Sequence, residues 1–171
     1  MSEDHAHHDI DNTPRNVVEL VINIDDTTPE LLASLQDKLM TQGALDVWTT
    51  PINMKAGRPA VMLSVLAAPE DQDQLAETIL RESGAFGLRH RAWDRTTLER
   101  SFTQLDSPLG PFTAKVGHLH GKPIAAKPEW RDIYQLAQQH NLPLTAVQNE
   151  LAAIVHQHLK QLQDRAEGRT S

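Results

Sequence analysis

The chain has 171 residues, 39% of them apolar but only 4% aromatic, so its core has to be built from Leu, Val, Ile and Ala. It carries 23 acidic against 16 basic residues, a net charge of −7, and no cysteine. The negative field disfavours DNA or RNA as a partner, and the lack of thiols excludes disulfides, cysteine nucleophiles and Cys-ligated metal centres. No apolar run approaches the roughly 20 residues of a transmembrane helix. The polar start has no signal-peptide core. A cytoplasmic protein with no membrane partner is expected.

In chain order, residues 1–15 are polar and read as a disordered, histidine-containing tail. Val17 to Ile24 is a β-branched strand. Thr28, Pro29 and Glu30 then cap and open a helix whose stripe is Leu31, Leu32, Leu35 and Leu39, with Gly43 stopping it. Leu45, Val47 and Thr49 alternate as a second strand ending at Pro51, and Val61–Leu66 is an apolar run suited to a central strand. Pro69 opens a second helix with Leu75 and Ile79 inward, closing near Gly84, and Phe86, Leu88 and Ala92 make a fourth strand. This β-α-β-β-α-β order is the split arrangement of a ferredoxin-like sandwich over about residues 17–95, in which the crossovers are expected to set parallel strands side by side.

Beyond Arg95, Leu98–Leu105 and Phe112–Leu119 predict a hairpin turning at Ser107-Pro108-Leu109-Gly110. A short strand at Ile124–Ala126 follows, then helices from Pro128 to about His140 and from Thr145 to about Gln163. The fold class is therefore α+β, a single domain over residues 16–163, with 164–171 as a polar tail.

Few side chains stand out chemically. Asp25 and Asp26, after the first strand, suit either the positive end of the following helix or a divalent cation held at a strand end. Arg89, Arg91, Trp93 and Arg95 share strand parity, so they project from one face, where guanidinium forks suit phosphate or a solvated edge. Lys55 and Arg58, beside a Gly-Arg-Pro turn, offer further phosphate donors, and no glycine-rich phosphate loop is present. His118 and His120, two apart on a presumed strand, share a face and could chelate, whereas His156 and His158, two apart on a helix, do not face each other. His5, His7 and His8 could hold a transition metal weakly. Trp93, Trp130 and Tyr134 could stack on a base or simply pack.

Several short segments together resemble the C-terminal domain of LarC, the nickel insertion protein family of nickel-pincer nucleotide cofactor synthesis. They are Asn23-Ile-Asp-Asp26 with Pro29-Glu30, Gly43-Ala-Leu-Asp-Val47, and Thr50-Pro-Ile-Asn-Met-Lys55 leading to Arg58-Pro59. Arg81-Glu82 with Gly87-Leu-Arg89, Lys115, Lys127-Pro128-Glu129 and Leu142-Pro143-Leu144 complete them, in the family's order over about residues 17–150. Ser83-Gly-Ala-Phe86 stands where the family has a threonine-rich stretch, and the larger N-terminal domain has no counterpart here. His5-Ala-His-His8 is similar to the end of the junction joining the family's two halves, which implies a separately produced C-terminal half.

The resemblance implies a CTP-dependent cyclometallase that inserts Ni²⁺ into a pyridinium dithio-mononucleotide, a lyase-type reaction. It implies that this half carries CTP with Mg²⁺ or Mn²⁺ and works with the N-terminal half in a homo-oligomer. Residue by residue it places the metal on Asp25 and Asp26 and the nucleotide on Lys55, Arg58, Arg81, Arg89 and Lys127. A regulatory small-molecule module and a nickel carrier using the histidine tail are the rival readings, since the sandwich fold alone does not decide function.

Overall fold

The computed structural model describes residues 16–168, so the tail assigned to residues 1–15, with His5, His7 and His8, lies outside the described residues. Where one domain is expected over 16–163, the chain divides at Thr96 and Thr97 into two compact units. The physical reason is that each unit closes an apolar cluster of its own.

The N-terminal unit contains β1 (Asn16–Ile24), α1 (Pro29–Thr41), β2 (Asp46–Asn53), β3 (Pro59–Ala67), α2 (Gln72–Ser83) and β4 (Arg89–Asp94). The strands lie in the order β2-β3-β1-β4. Every neighbouring pair is antiparallel, which corrects the expectation of parallel strands side by side. Each crossover links strands of like direction with one antiparallel strand between them, β3 between β1 and β2 and β1 between β3 and β4, so the topology is the ferredoxin-like one.

The period of two in β1 turns Leu20, Ile22 and Ile24 inward against Leu63 and Val65 of β3, Leu35 and Leu39 of α1, and Leu75 and Ile79 of α2. Each fully buried side chain of this size contributes about 1.5–3 kcal/mol relative to exposure. Thr28 caps α1 by accepting from the Leu31 N–H at 3.4 Å. Leu31, expected in the buried stripe, is exposed. The α1–α2 contact explains this: Lys38 bonds Glu82 near the end of α2, so the first turn of α1 runs beyond its neighbour.

Pro51 does not end the second strand. β2 continues to Asn53 because it is an edge strand, where a missing N–H costs no ladder bond. Pro69 opens a 3-10 turn, Pro69–Asp71, ahead of α2. Phe86 lies fully exposed before the fourth strand, which begins only at Arg89, while Leu88 packs on the core.

The C-terminal unit contains β5 (Glu99–Ser107), β6 (Gly110–Leu119), β7 (Lys122–Pro128), α3 (Trp130–His140) and α4 (Leu144–Ala166). The expected hairpin forms, with Ser107 paired to Gly110, and β7 extends it to a three-stranded antiparallel sheet. Phe112 and Ala114 pack against Ile133, Leu136 and Ala137 of α3 and against Val147, Leu151 and Val155 of α4. The final helix reaches into the expected tail, to Ala166. Among the described residues, no helix is long and apolar enough to cross a membrane.

Candidate functional site

β1 buries Leu20, Ile22 and Ile24 under the helices, so Glu19, Val21 and Asn23 point to the opposite, outer face. On that face β3 contributes Met62, opposite Asn23, and β4 contributes Arg89, Arg91 and Trp93, opposite Val21, Glu19 and Val17. The shared face expected for Arg89, Arg91 and Trp93 is therefore formed. Arg95 falls past the end of β4 at Asp94 and does not belong to the row.

Asp25 and Asp26 follow directly on Ile24, which is anchored in the core. The β2–β3 hairpin carries Arg58 to the same end of the sheet, because β3 runs antiparallel to β1 with Val61 opposite Ile24. The hairpin closes on a bond from the Met54 N–H to the Arg58 carbonyl at 2.9 Å. Lys55 begins its 3-10 turn, in which Ala56 takes a left-handed conformation (φ 60°) that non-glycine residues adopt only at a cost of about 1 kcal/mol or more. Arg58 Nη1 lies 2.8 Å from Asp25 Oδ2. That oxygen is buried yet accepts no aligned hydrogen bond, so Arg58 offsets its charge without filling its acceptor capacity. Asp26, next to it, is exposed.

Arg89 Nη2 donates to Asn23 Oδ1 at 3.2 Å and lies 3.4 Å from the Met62 sulfur. Asn23 is two residues before Asp25 on β1. One end of the sheet thus collects Asp25, Arg58, Asn23 and Arg89. Arg81 is engaged elsewhere: its Nε and Nη2 both donate to Glu77 Oε1, at 2.8 and 2.6 Å, one turn earlier on α2. Lys127 belongs to the C-terminal unit. It sits opposite Lys115 across β6 and β7 and lines a cavity of about 460 Å³ with Trp130, Ile133, Gln148 and His156. Lys115 itself pairs with Glu129 at 2.7 Å.

The histidine pair is not formed. β6 ends at Leu119, and His120 and Gly121, both at positive φ, make the two-residue turn into β7, so His120 leaves the strand face. His118 instead makes a 2.9 Å hydrogen bond with Ser101 Oγ. Among the described residues no three His, Asp or Glu side chains gather as a ready-made metal cage. Two adjacent carboxylates at a strand end fit a hard divalent cation that brings phosphate and water oxygens as its remaining ligands. The unfilled acceptor on Asp25 Oδ2 fits the same ion.

Glu19 was not singled out among the sequence candidates. Its carboxylate Oε2 accepts from the Trp93 indole N–H at 3.0 Å. The signal was there, since residues 19, 21, 23 and 25 share strand parity.

A sequence model of the family described as nickel insertion protein matches residues 6–148. The chain belongs to this family. It is 41% identical over 135 residues, 79% of its length, to a putative nickel insertion protein of Maridesulfovibrio salexigens, and covers 32% of that protein. It is 39% identical over 147 residues to the pyridinium-3,5-bisthiocarboxylic acid mononucleotide nickel insertion protein of Lactiplantibacillus plantarum, covering 85% of the chain and 34% of that relative. The chain thus spans about a third of the length of these nickel insertion proteins. Among solved structures it matches the apo C-terminal domain of a cyclometallase involved in synthesis of the NPN cofactor of lactate racemase. That match has a TM-score of 0.77 and 37% identity, over 83% of this chain and 97% of that one. A protein from Methanopyrus kandleri shares the fold at a TM-score of 0.58, 22% identity, and coverage of 82% of this chain and 86% of that one.

Proposed function

We propose that this chain is the CTP- and divalent-metal-binding C-terminal half of a nickel-inserting cyclometallase, a lyase-type enzyme that metallates a pyridinium dithio-mononucleotide. Ni²⁺ is a substrate on this reading. The N-terminal half of the same enzyme and further copies of this chain are the partners, and the setting is the cytoplasm. Membership of the nickel insertion family and the likeness to a cyclometallase C-terminal domain support the assignment.

The observation that carries the nucleotide part is the Asp25–Arg58 pair, in which a buried carboxylate oxygen with an unfilled acceptor sits 2.8 Å from a guanidinium. A triphosphate meeting Asp25 and Asp26 alone would be repelled. Mg²⁺ or Mn²⁺ held by these two carboxylates reverses the sign locally. Arg58, Lys55 and Arg89 then supply donors to phosphate oxygens, Arg58 and Arg89 from the same sheet end. Arg81 and Lys127 are assigned by motif, Arg81 from a position where it now pairs with Glu77.

Calorimetric titration with MgCTP or MnCTP, against the ATP, GTP and UTP complexes, tests the reading. Tighter binding of CTP than of the other three is expected. Equal response to all four, or to none, overturns it in favour of a regulatory small-molecule module.

A further inference from the structure

The C-terminal sheet carries charged side chains on the face away from its helices. β6 turns Phe112 and Ala114 inward onto α3 and α4, so by the period of two Thr113 and Lys115 stand on the opposite, outer face. The register sets Phe102 of β5 and Lys127 of β7 directly opposite Lys115, one on each side. Three adjacent strands thus present Phe102, Lys115 and Lys127 in one row. Glu129 follows β7 and is tied to β6 by its N–H, which donates to the Thr113 carbonyl at 2.9 Å.

Two lysines directly opposite across a ladder repel each other, and such like-charge pairs are destabilising. Glu129 neutralises only one of them, its Oε1 lying 2.7 Å from Lys115 Nζ. Among the described residues Lys127 has no carboxylate partner. Two lysines against one glutamate leave a positive charge here, on a chain whose net charge is −7. Lys115 is also fixed from the β5 side, where its ammonium lies 6.0 Å from the centroid of the Phe102 ring, within cation–π range. The Lys115 and Glu129 side chains are 37% and 32% exposed, so ligand can reach them while salt screens them less than a fully exposed pair.

A doubly charged oxyanion completes this arrangement, because it accepts from both ammonium groups at once and removes their repulsion. Lysine serves phosphate in this way, as a point charge. The Glu129 carboxylate only accepts hydrogen bonds, so it competes with such a ligand for Lys115 and repels it. It is the counter-ion of the empty site and a brake on filling it.

We infer that Lys115 and Lys127 form a phosphate site on the outer face of the C-terminal sheet, with Glu129 as the counter-ion that the phosphate displaces. The inference rests on the nucleotide reading above, which assigns Lys127 alone in this unit, and it gives Lys115 and Glu129 roles of their own. CTP and the pyridinium mononucleotide both carry phosphate, and the arms of the test separate them.

The whole chain is titrated calorimetrically with MgCTP and, separately, with nicotinic acid mononucleotide, a pyridinium mononucleotide bearing one phosphate. Lys115→Met keeps an apolar stem against Phe102 and removes the ammonium. For at least one ligand, Lys115→Met and Lys127→Met are each expected to weaken binding about fivefold or more, and Glu129→Gln to strengthen it about twofold or more. Lys122→Met, at the turn between β6 and β7, controls for total charge and is expected to leave affinity within about twofold. The ligand that responds is the one whose phosphate the site holds. A purely structural Lys–Glu pair would lose thermal stability in Glu129→Gln without any gain in affinity. If Lys115→Met binds both ligands normally, if Glu129→Gln weakens binding as Lys115→Met does, or if Lys122→Met weakens it equally, this inference is overturned. Selective binding of CTP by the unmodified chain would then leave the nucleotide reading standing. If the unmodified chain binds neither ligand, that reading fails and takes this inference with it.

Discussion

Asp25 keeps a carboxylate oxygen out of solvent, against Arg58 but without an aligned donor. A pair in this state has capacity for a cation on one side and a phosphate on the other, whereas an exposed surface pair contributes at most about 1 kcal/mol of stability. Asp25→Asn, Asp26→Asn and Arg58→Ala are each expected to weaken binding of the metal–CTP complex at least tenfold. Circular dichroism is expected to stay unchanged, because none of the three lies in the apolar cluster. Titration calorimetry reads the affinity, and full retention of affinity in all three removes the cradle. The adjacent carboxylates were legible in the sequence because they sit at a strand–helix junction. The pairing of Asp25 with Arg58 was not, since it depends on the register that sets Val61 opposite Ile24. For Arg81 the reverse holds: Glu77 lies one helical turn before it, a local spacing at which ion pairs form.

At the level of elements, turns decide which side chains share a face. The β5–β6 turn depends on Gly110, whose φ of 126° is outside the range of L side chains and where an added Cβ would approach Leu136 to 3.3 Å. Ser107 completes the turn, donating to the Gly110 carbonyl at 2.7 Å and accepting from the Leu109 N–H at 3.2 Å. Gly110→Ala is expected to destabilise the protein by about 1–3 kcal/mol. Gly87→Ala, at a glycine with ordinary φ and open space around it, is expected to change stability by less than about 0.5 kcal/mol. Urea unfolding midpoints compare the two, and equal midpoints contradict the argument. The Ser-Pro-Leu-Gly turn was readable from residue type. The His120-Gly121 turn was missed because no paired turn residues mark it before Lys122, and a non-glycine residue at positive φ is uncommon enough that His120 did not signal one.

For the molecule as a whole, stability against acid is written into α4. His158 is held below its ordinary pKa of 6.5, first by burial of the ring and then by repulsion from Arg165. Its Nε2 is buried without a hydrogen-bond partner, so protonation there would bury an unsatisfied N–H. The native state thus binds this proton more weakly than the unfolded chain. The contribution is fully present above pH 6.5 and is lost as pH falls from there toward the lowered native value. His158→Gln is expected to flatten the fall in urea midpoint between pH 7.5 and 5.5 relative to the unmodified chain. An identical fall in both proteins contradicts the assignment.

Periodicity and capping were local enough to read from residues alone. The alternation in β1, the Thr28-Pro29-Glu30 helix start and the α4 stripe each depend on neighbours within a few positions, and all three formed. The order of elements likewise specified the sandwich. Only the folded chain decided the antiparallel neighbours, the division at Thr96 and Thr97, and the meeting of Asp25 with Arg58 and of Glu19 with Trp93. Those contacts join residues from separate elements, and no local spacing carries the strand register or the turn geometry that brings them together.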